Sequence, residues 1–242
     1  MSEVGHARNI QSFRSLVSFV TGYGGYYKPS NKDIELTALN TALAAADAAM
    51  DLVTAKLGVS KTTINTRQNV YAPLRTTVAR SVNYYASTGA AENSIEDAKG
   101  FKRKIDGKRA SAKPVDDPST PEDESAGSHS AAQTSYTQRA EHLDNLIAIY
   151  QGDPFYMPNE TDLTTTALQT LSNDMKAATQ AVIDSYTDIS NARLTRSDVM
   201  YAGPQCLFSL QKKVKAYVKG LYGPSSDEYK QISRLKFVGY ED

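Results

Sequence analysis

The sequence predicts an all-α fold, an internally duplicated helical bundle, on three observations. One helix start occurs twice, apolar residues recur at helical spacing, and strand-like alternation appears nowhere at useful length. The duplicated start is YKPSNKDIELTAL at 27–39 and YMPNETDLTTTAL at 156–168. Six of the thirteen positions are identical, at a shift of 129.

Each copy has the parts of a helix N-terminus. Pro29 and Pro158 precede Ser30 and Asn159, whose side-chain oxygens suit an N-cap. Asp33 and Asp162 follow three residues later, where a capping-box acid would sit and where the helix dipole favours negative charge. Upstream, Phe13, Leu16, Val17 and Val20 match Leu143, Leu146, Ile147 and Tyr150 at a shift of 130. Downstream, Thr66-Arg67 matches Thr195-Arg196, and EDAKGFKR (96–103) resembles DEYKQISR (227–234). Each half then reads as one helical unit used twice.

The elements follow in order. A short helix over 7–21 leads to a Tyr/Gly turn at 22–27. Leu36, Leu39, Leu43, Ala46, Met50, Val53 and Leu57 alternate spacings of 3 and 4, which predicts a helix over 31–57 ending at Gly58. Helices over 62–88 and 92–106 complete the first half. The second half repeats the order as 136–151, 159–188, 196–222 and 226–237. Leu207, Leu210, Val214, Tyr217 and Leu221 form the seam of its third helix. The expected architecture is two pseudo-symmetric repeats, 1–106 and 136–242, packed as one bundle around four long antiparallel helices, with short helices besides. Between them, 107–135 is rich in Pro, Ser and acidic residues and poor in large apolar ones, so it reads as a flexible acidic linker.

Lys and Arg number 27, as do Asp and Glu, but the balance is uneven. Residues 61–113 hold eleven basic against four acidic side chains, 193–242 nine against five, and 114–192 two against thirteen. Two basic helical stretches, 99–109 and 211–219, offer Lys102, Arg103, Lys104, Lys212, Lys213 and Lys215 to nucleic acid or to an acidic protein face. The near-neutral total weakens long-range attraction and favours the protein face.

No convincing catalytic constellation is legible. His6, His129 and His142 lack the Glu-x-x-His spacing of a di-iron bundle, and one cysteine, Cys206, makes no zinc pattern. Cys206 sits beside Leu207 and Phe208, where an inert buried thiol is the ordinary case. The glycines of Gly22-Tyr23-Gly24-Gly25 follow a helix and lack the lysine of a phosphate-binding loop. No catalytic residue, metal or cofactor is therefore assigned.

With no signal-peptide core, no apolar run of membrane-spanning length and no possible internal disulfide, the expectation is a cytoplasmic, non-enzymatic protein. Its expected role is structural: a scaffold that binds itself or a protein partner through helix faces, with Tyr26, Tyr27, Tyr156 and Tyr217 as exposed aromatic anchors. The alternatives are nucleic-acid binding by the basic helices, and a small-molecule site between the repeats lined by Tyr27 and Tyr156.

Overall fold

A computed structural model describes residues 3–108 and 134–239. The chain is all-helical, with no strand among the described residues. The order is α1 (Glu3–Gly22), α2 (Leu36–Tyr71), α3 (Leu74–Ala86), α4 (Glu92–Asp106), α5 (Tyr136–Gly152), α6 (Thr165–Tyr201), α7 (Leu207–Tyr222) and α8 (Asp227–Ser233). Short 3-10 turns at Lys32–Ile34 and Thr161–Leu163 precede α2 and α6. The predicted linker falls almost wholly on 109–133, outside the described residues, as do His129 and Arg109.

Two compact units emerge, and each draws on both halves of the chain. Unit 1 comprises 1–60 and 185–242, and unit 2 comprises 61–184. The division falls inside α2 and inside α6.

Unit 1 packs α1 against α7 and α8, with α7 also against the Lys32–Ile34 turn. Its core takes Phe13, Leu16 and Val20 from α1, Leu39 and Ala46 from α2, Met200 from α6, and Leu207, Val214 and Val218 from α7. Here α2 and α6 run antiparallel. Lys56 pairs with Asp188 at 2.7 Å, and the Ser185 hydroxyl donates to Ser60 at 3.3 Å.

Unit 2 packs α4 against α3 and α5, and α3 against the Thr161–Leu163 turn. Its core holds Leu74, Val78, Tyr85, Ile105, Leu143, Leu146, Tyr150, Leu168 and Met175. The Tyr71 hydroxyl reaches the Met175 carbonyl at 3.3 Å and Thr179 Oγ1 at 3.0 Å, which ties α2 to α6 in this unit.

Helix boundaries depart from the sequence expectation at matching places. Helix α2 runs for 36 residues, straight through Gly58, and α6 runs for 37. An interior glycine costs a helix only about 1 kcal/mol relative to alanine, too little to end it by itself, and Lys56 and Ser60 on either side make contacts to α6. The breaks fall instead at proline. Pro73 has no N–H to give the Asn69 carbonyl, so α2 stops at Tyr71 and α3 restarts at Leu74. In the second half Gly203 takes a left-handed φ of 80°, Pro204 follows, and α7 restarts at Leu207. Predicted helices over 62–88 and 196–222 would have run through both prolines.

The last predicted helix, 226–237, is shorter as well. α8 ends at Ser233, and residues 235–239 form no regular element.

Candidate functional site

The duplicated motif forms a buried clasp, and forms it in each unit. In unit 1 the Tyr27 hydroxyl donates to the Ile34 carbonyl at 2.7 Å, closing a loop over the 3-10 turn. In unit 2 the Tyr156 hydroxyl donates to the Leu163 carbonyl, also at 2.7 Å. Edge-to-face contacts accompany both: Tyr27 meets Tyr217 at 5.3 Å and 88°, and Tyr156 meets Tyr84 at 5.5 Å and 89°. Such pairs add about 0.5–1.5 kcal/mol beyond the area they bury.

An ion pair fastens each clasp from outside. Lys213 Nζ lies 2.9 Å from Asp33 Oδ2, and Gln205 donates to the other carboxylate oxygen at 3.1 Å. Arg80 grips Asp162 with both guanidinium ends. The hydrogen bond from Lys213, then that from Gln205, lowers the Asp33 pKa below its usual value, and the bond from Arg80 does the same for Asp162.

These contacts correct four sequence assignments. Ser30, Asp33, Asn159 and Asp162 do not cap the long helices, which start later, at Leu36 and Thr165. The cap of the first 3-10 turn is Asn31, whose side chain accepts from the Asp33 N–H at 3.0 Å. Thr164 Oγ1 accepts from the Ala167 N–H at 3.2 Å at the start of α6. The side chains of Ile34 and Leu163 are buried and their carbonyls are held by the tyrosines, which keeps the chain in a turn before either helix begins.

The tyrosines need the same correction. Tyr26 is 78% exposed, but Tyr27 and Tyr156 are buried and Tyr217 is half-buried. Burial pushes the Tyr27 and Tyr156 hydroxyls well above the usual tyrosine range. Tyr27 belongs to the core of unit 1 and Tyr156 to that of unit 2.

Unit 2 extends its clasp into a tyrosine cluster. Tyr150 stacks on Tyr156 with centroids 3.7 Å apart and planes 2° from parallel, and its hydroxyl donates to Ser81 at 3.1 Å. Tyr85 lies edge-on to both rings and donates to Asp153 at 2.5 Å. Burial, with that bond, pushes the Tyr85 hydroxyl up to about 12.

Several basic side chains are engaged within the fold. Lys102 pairs with Asp106 at 3.0 Å. Lys213 holds Asp33 and the Pro204 carbonyl, and Lys215 donates to the Leu235 carbonyl at 2.8 Å. Burial lowers the Lys215 pKa. Lys104 and Lys212 are exposed and lie over Phe101 and Phe208, at 4.9 and 4.6 Å from the ring centroids, while Arg103 is half-buried in the last turn of α4. The two basic stretches belong to different units, α4 to unit 2 and α7 to unit 1.

Cys206 is buried at the start of α7, where its sulfur accepts from the Ser209 N–H at 3.3 Å. His142 is buried beside Phe101 in unit 2. Among the described residues no group of three His, Cys, Asp or Glu side chains is placed to hold a metal ion, and no helix is long and apolar enough to cross a membrane.

Sequence reasoning missed the partners of the two aspartates. Arg80 and Lys213 are 133 apart, as are Tyr84 and Tyr217, and Leu74 and Leu207. The shift grows from 129 because α6 is one residue longer than α2 and the link to α7 is longer than the link to α3. Aligning the later helices at that larger offset would have exposed both pairs. No family model matches this chain, and neither a curated protein nor a solved structure is significantly similar to it.

Proposed function

We propose that the chain is a structural or scaffold protein of the cytoplasm, made from two copies of one helical unit, that associates with copies of itself through exposed faces of α2 and α6. One observation carries the self-association. Of the ten large apolar side chains exposed among the described residues, five lie on these two helices: Leu52 and Val59 on α2, and Ile183, Tyr186 and Leu194 on α6. Leu52 and Val59 are one heptad apart, so they lie within about 20° of each other around the helix. Exposed apolar side chains mark an interaction site where they form one contiguous patch, and we read Leu52 and Val59 as part of such a patch. Two matched clasps, with equal hydroxyl–carbonyl distances and equivalent ion pairs, support the reading of two copies.

Two rival readings have less behind them. The engagement of Lys102, Lys213 and Lys215 within the fold weighs against nucleic-acid binding. The commitment of both clasp hydroxyls to backbone carbonyls weighs against a ligand held by Tyr27 and Tyr156.

Light scattering across concentration tests the proposal. The expected result is a mass that rises above the 26.4 kDa of one chain and persists in high salt, as apolar contact would. Replacing both Leu52 and Val59 by Glu should reduce it. A constant 26.4 kDa at every concentration would end the self-association reading.

A further inference from the structure

After α8 the chain of unit 1 leaves the helix, and α1 grips it by its main chain at Lys236 and Val238. Asn9, only 1% exposed, accepts from the Val238 N–H at 2.9 Å and donates to the Val238 carbonyl at 2.9 Å. The second proton of its amide goes to the Tyr201 hydroxyl at 3.0 Å, which also meets His6 Nδ1 at 3.0 Å. Ser12 donates to the Lys236 carbonyl at 2.8 Å, and Lys215 of α7 to the Leu235 carbonyl at 2.8 Å. Leu235 and Phe237 turn toward the core while Lys236 and Val238 face out, the alternation of a strand.

This is the chemistry by which proteins recognise extended peptides: main-chain bonds give affinity and alternate side chains give selectivity. Asn9 stands in for the neighbouring strand, since an amide side chain offers the same donor and acceptor as a peptide group. The third bond of Asn9, to Tyr201, does not involve the segment and helps to hold the amide in place, so less ordering remains to be done on binding.

We propose that Asn9, Ser12 and Lys215 form a peptide-binding seat, filled by residues 235–238 of the same chain and exchangeable for that segment of a second copy. The proposal rests on the self-association reading and names a segment through which copies join. All four hydrogen bonds to the segment reach main-chain atoms. The seat therefore cannot tell its own segment from a copy's, and only local concentration favours its own. Exchange of an identical element is a low-cost route to a dimer.

Two full-length variants separate the parts. Asn9→Ala spoils the seat and keeps the segment, whereas Val238→Pro removes the segment's N–H and keeps the seat. Each is labelled at its N-terminus with one dye of an energy-transfer pair. The expected result is that the mixed pair associates at least about tenfold more tightly than either variant with itself, the equivalent of roughly 1.4 kcal/mol. A mixed pair no tighter than the single variants overturns the proposal.

A second measurement guards against a misfolded Asn9→Ala chain. A labelled peptide of residues 234–239 is titrated into full-length Val238→Pro and into the unaltered chain. Binding to Val238→Pro about tenfold tighter is expected, because its seat is vacated. Equal binding, or none, counts against the seat. Should the unaltered chain assemble while both experiments fail, the seat falls and the self-association reading stands. Should the mixed pair form while the unaltered chain stays monomeric, the seat stands and that reading falls.

Discussion

Unit 1 and unit 2 hold the same turn with the same bond, yet fill the space behind it differently. In unit 2 the clasp tyrosine lies on Tyr150 and edge-on to Tyr85, whose hydroxyls run out to Ser81 and Asp153. In unit 1 the matching positions are Val20 and Val218, and Tyr27 makes its ring contact with Tyr217. The units also close differently. α4 is a helix of 15 residues capped by left-handed Gly107, whereas α8 has seven and gives way to the non-helical segment bound by Asn9. The clasp and its ion pair are thus common to the two units, while core filling and closure are free to diverge around them.

The largest test exchanges the fillings. Tyr150→Val should destabilise unit 2 by about 2–4 kcal/mol in chemical denaturation, since it opens a cavity and removes the hydrogen bond that the Tyr150 hydroxyl gives to Ser81. Val20→Tyr should cost unit 1 about 1–3 kcal/mol by overpacking. If both are neutral, the fillings are interchangeable and the contrast has no energetic content.

A smaller effect should be equal in the two units. Tyr27→Phe and Tyr156→Phe each leave a buried carbonyl without its donor, at a cost of about 1–2 kcal/mol. A loss at one and none at the other would show that the two clasps are alike only in geometry.

Gly58→Ala should stabilise by about 0.5–1 kcal/mol, because no heavy atom lies within 4 Å of an added Cβ and the glycine sits inside α2. Destabilisation there would restore the helix end that the sequence predicts at this position.

The smallest effect belongs to the two clasp ion pairs, the Arg80–Asp162 pair exposed and the Lys213–Asp33 pair half-buried, which water screens. Asp33 and Asp162 have pKa values lowered by folding, so their contribution is present above the ordinary carboxylate range and is lost as pH falls through the lowered values. Asp33→Asn and Asp162→Asn should leave stability at neutral pH little changed and flatten the acid limb of its pH profile. An unchanged acid limb would show that other carboxylates set it.

Helix content was legible because the seams through Leu39, Leu168, Leu207 and Val214 depend only on local spacing. The bounds of α4 and the start of α5 fall where the expected spans 92–106 and 136–151 put them. Where tertiary contact decides, local reading failed. Tyr27 and Tyr156 look exposed in a Tyr/Gly turn until a carbonyl seven residues on takes their hydroxyls. Asp33 reads as a cap until Lys213, 180 residues away, claims it. Asn9 carries no motif at all, and its role exists only once residues 235–238 lie beside it. The prolines at 73 and 204 were readable, and the seams on either side of them masked their effect.

The central claim is that each compact unit is assembled from both halves of the chain, and cutting the chain between the halves tests it directly. A protease site placed between residues 120 and 121 would be cleaved, and the product weighed by chromatography with light scattering in native buffer. The account expects the nicked protein to keep the mass and helical signal of the intact chain, because α1 and α2 of unit 1 still need α7 and α8 from the other fragment. Two separate folded species, each of about half the mass, would contradict it.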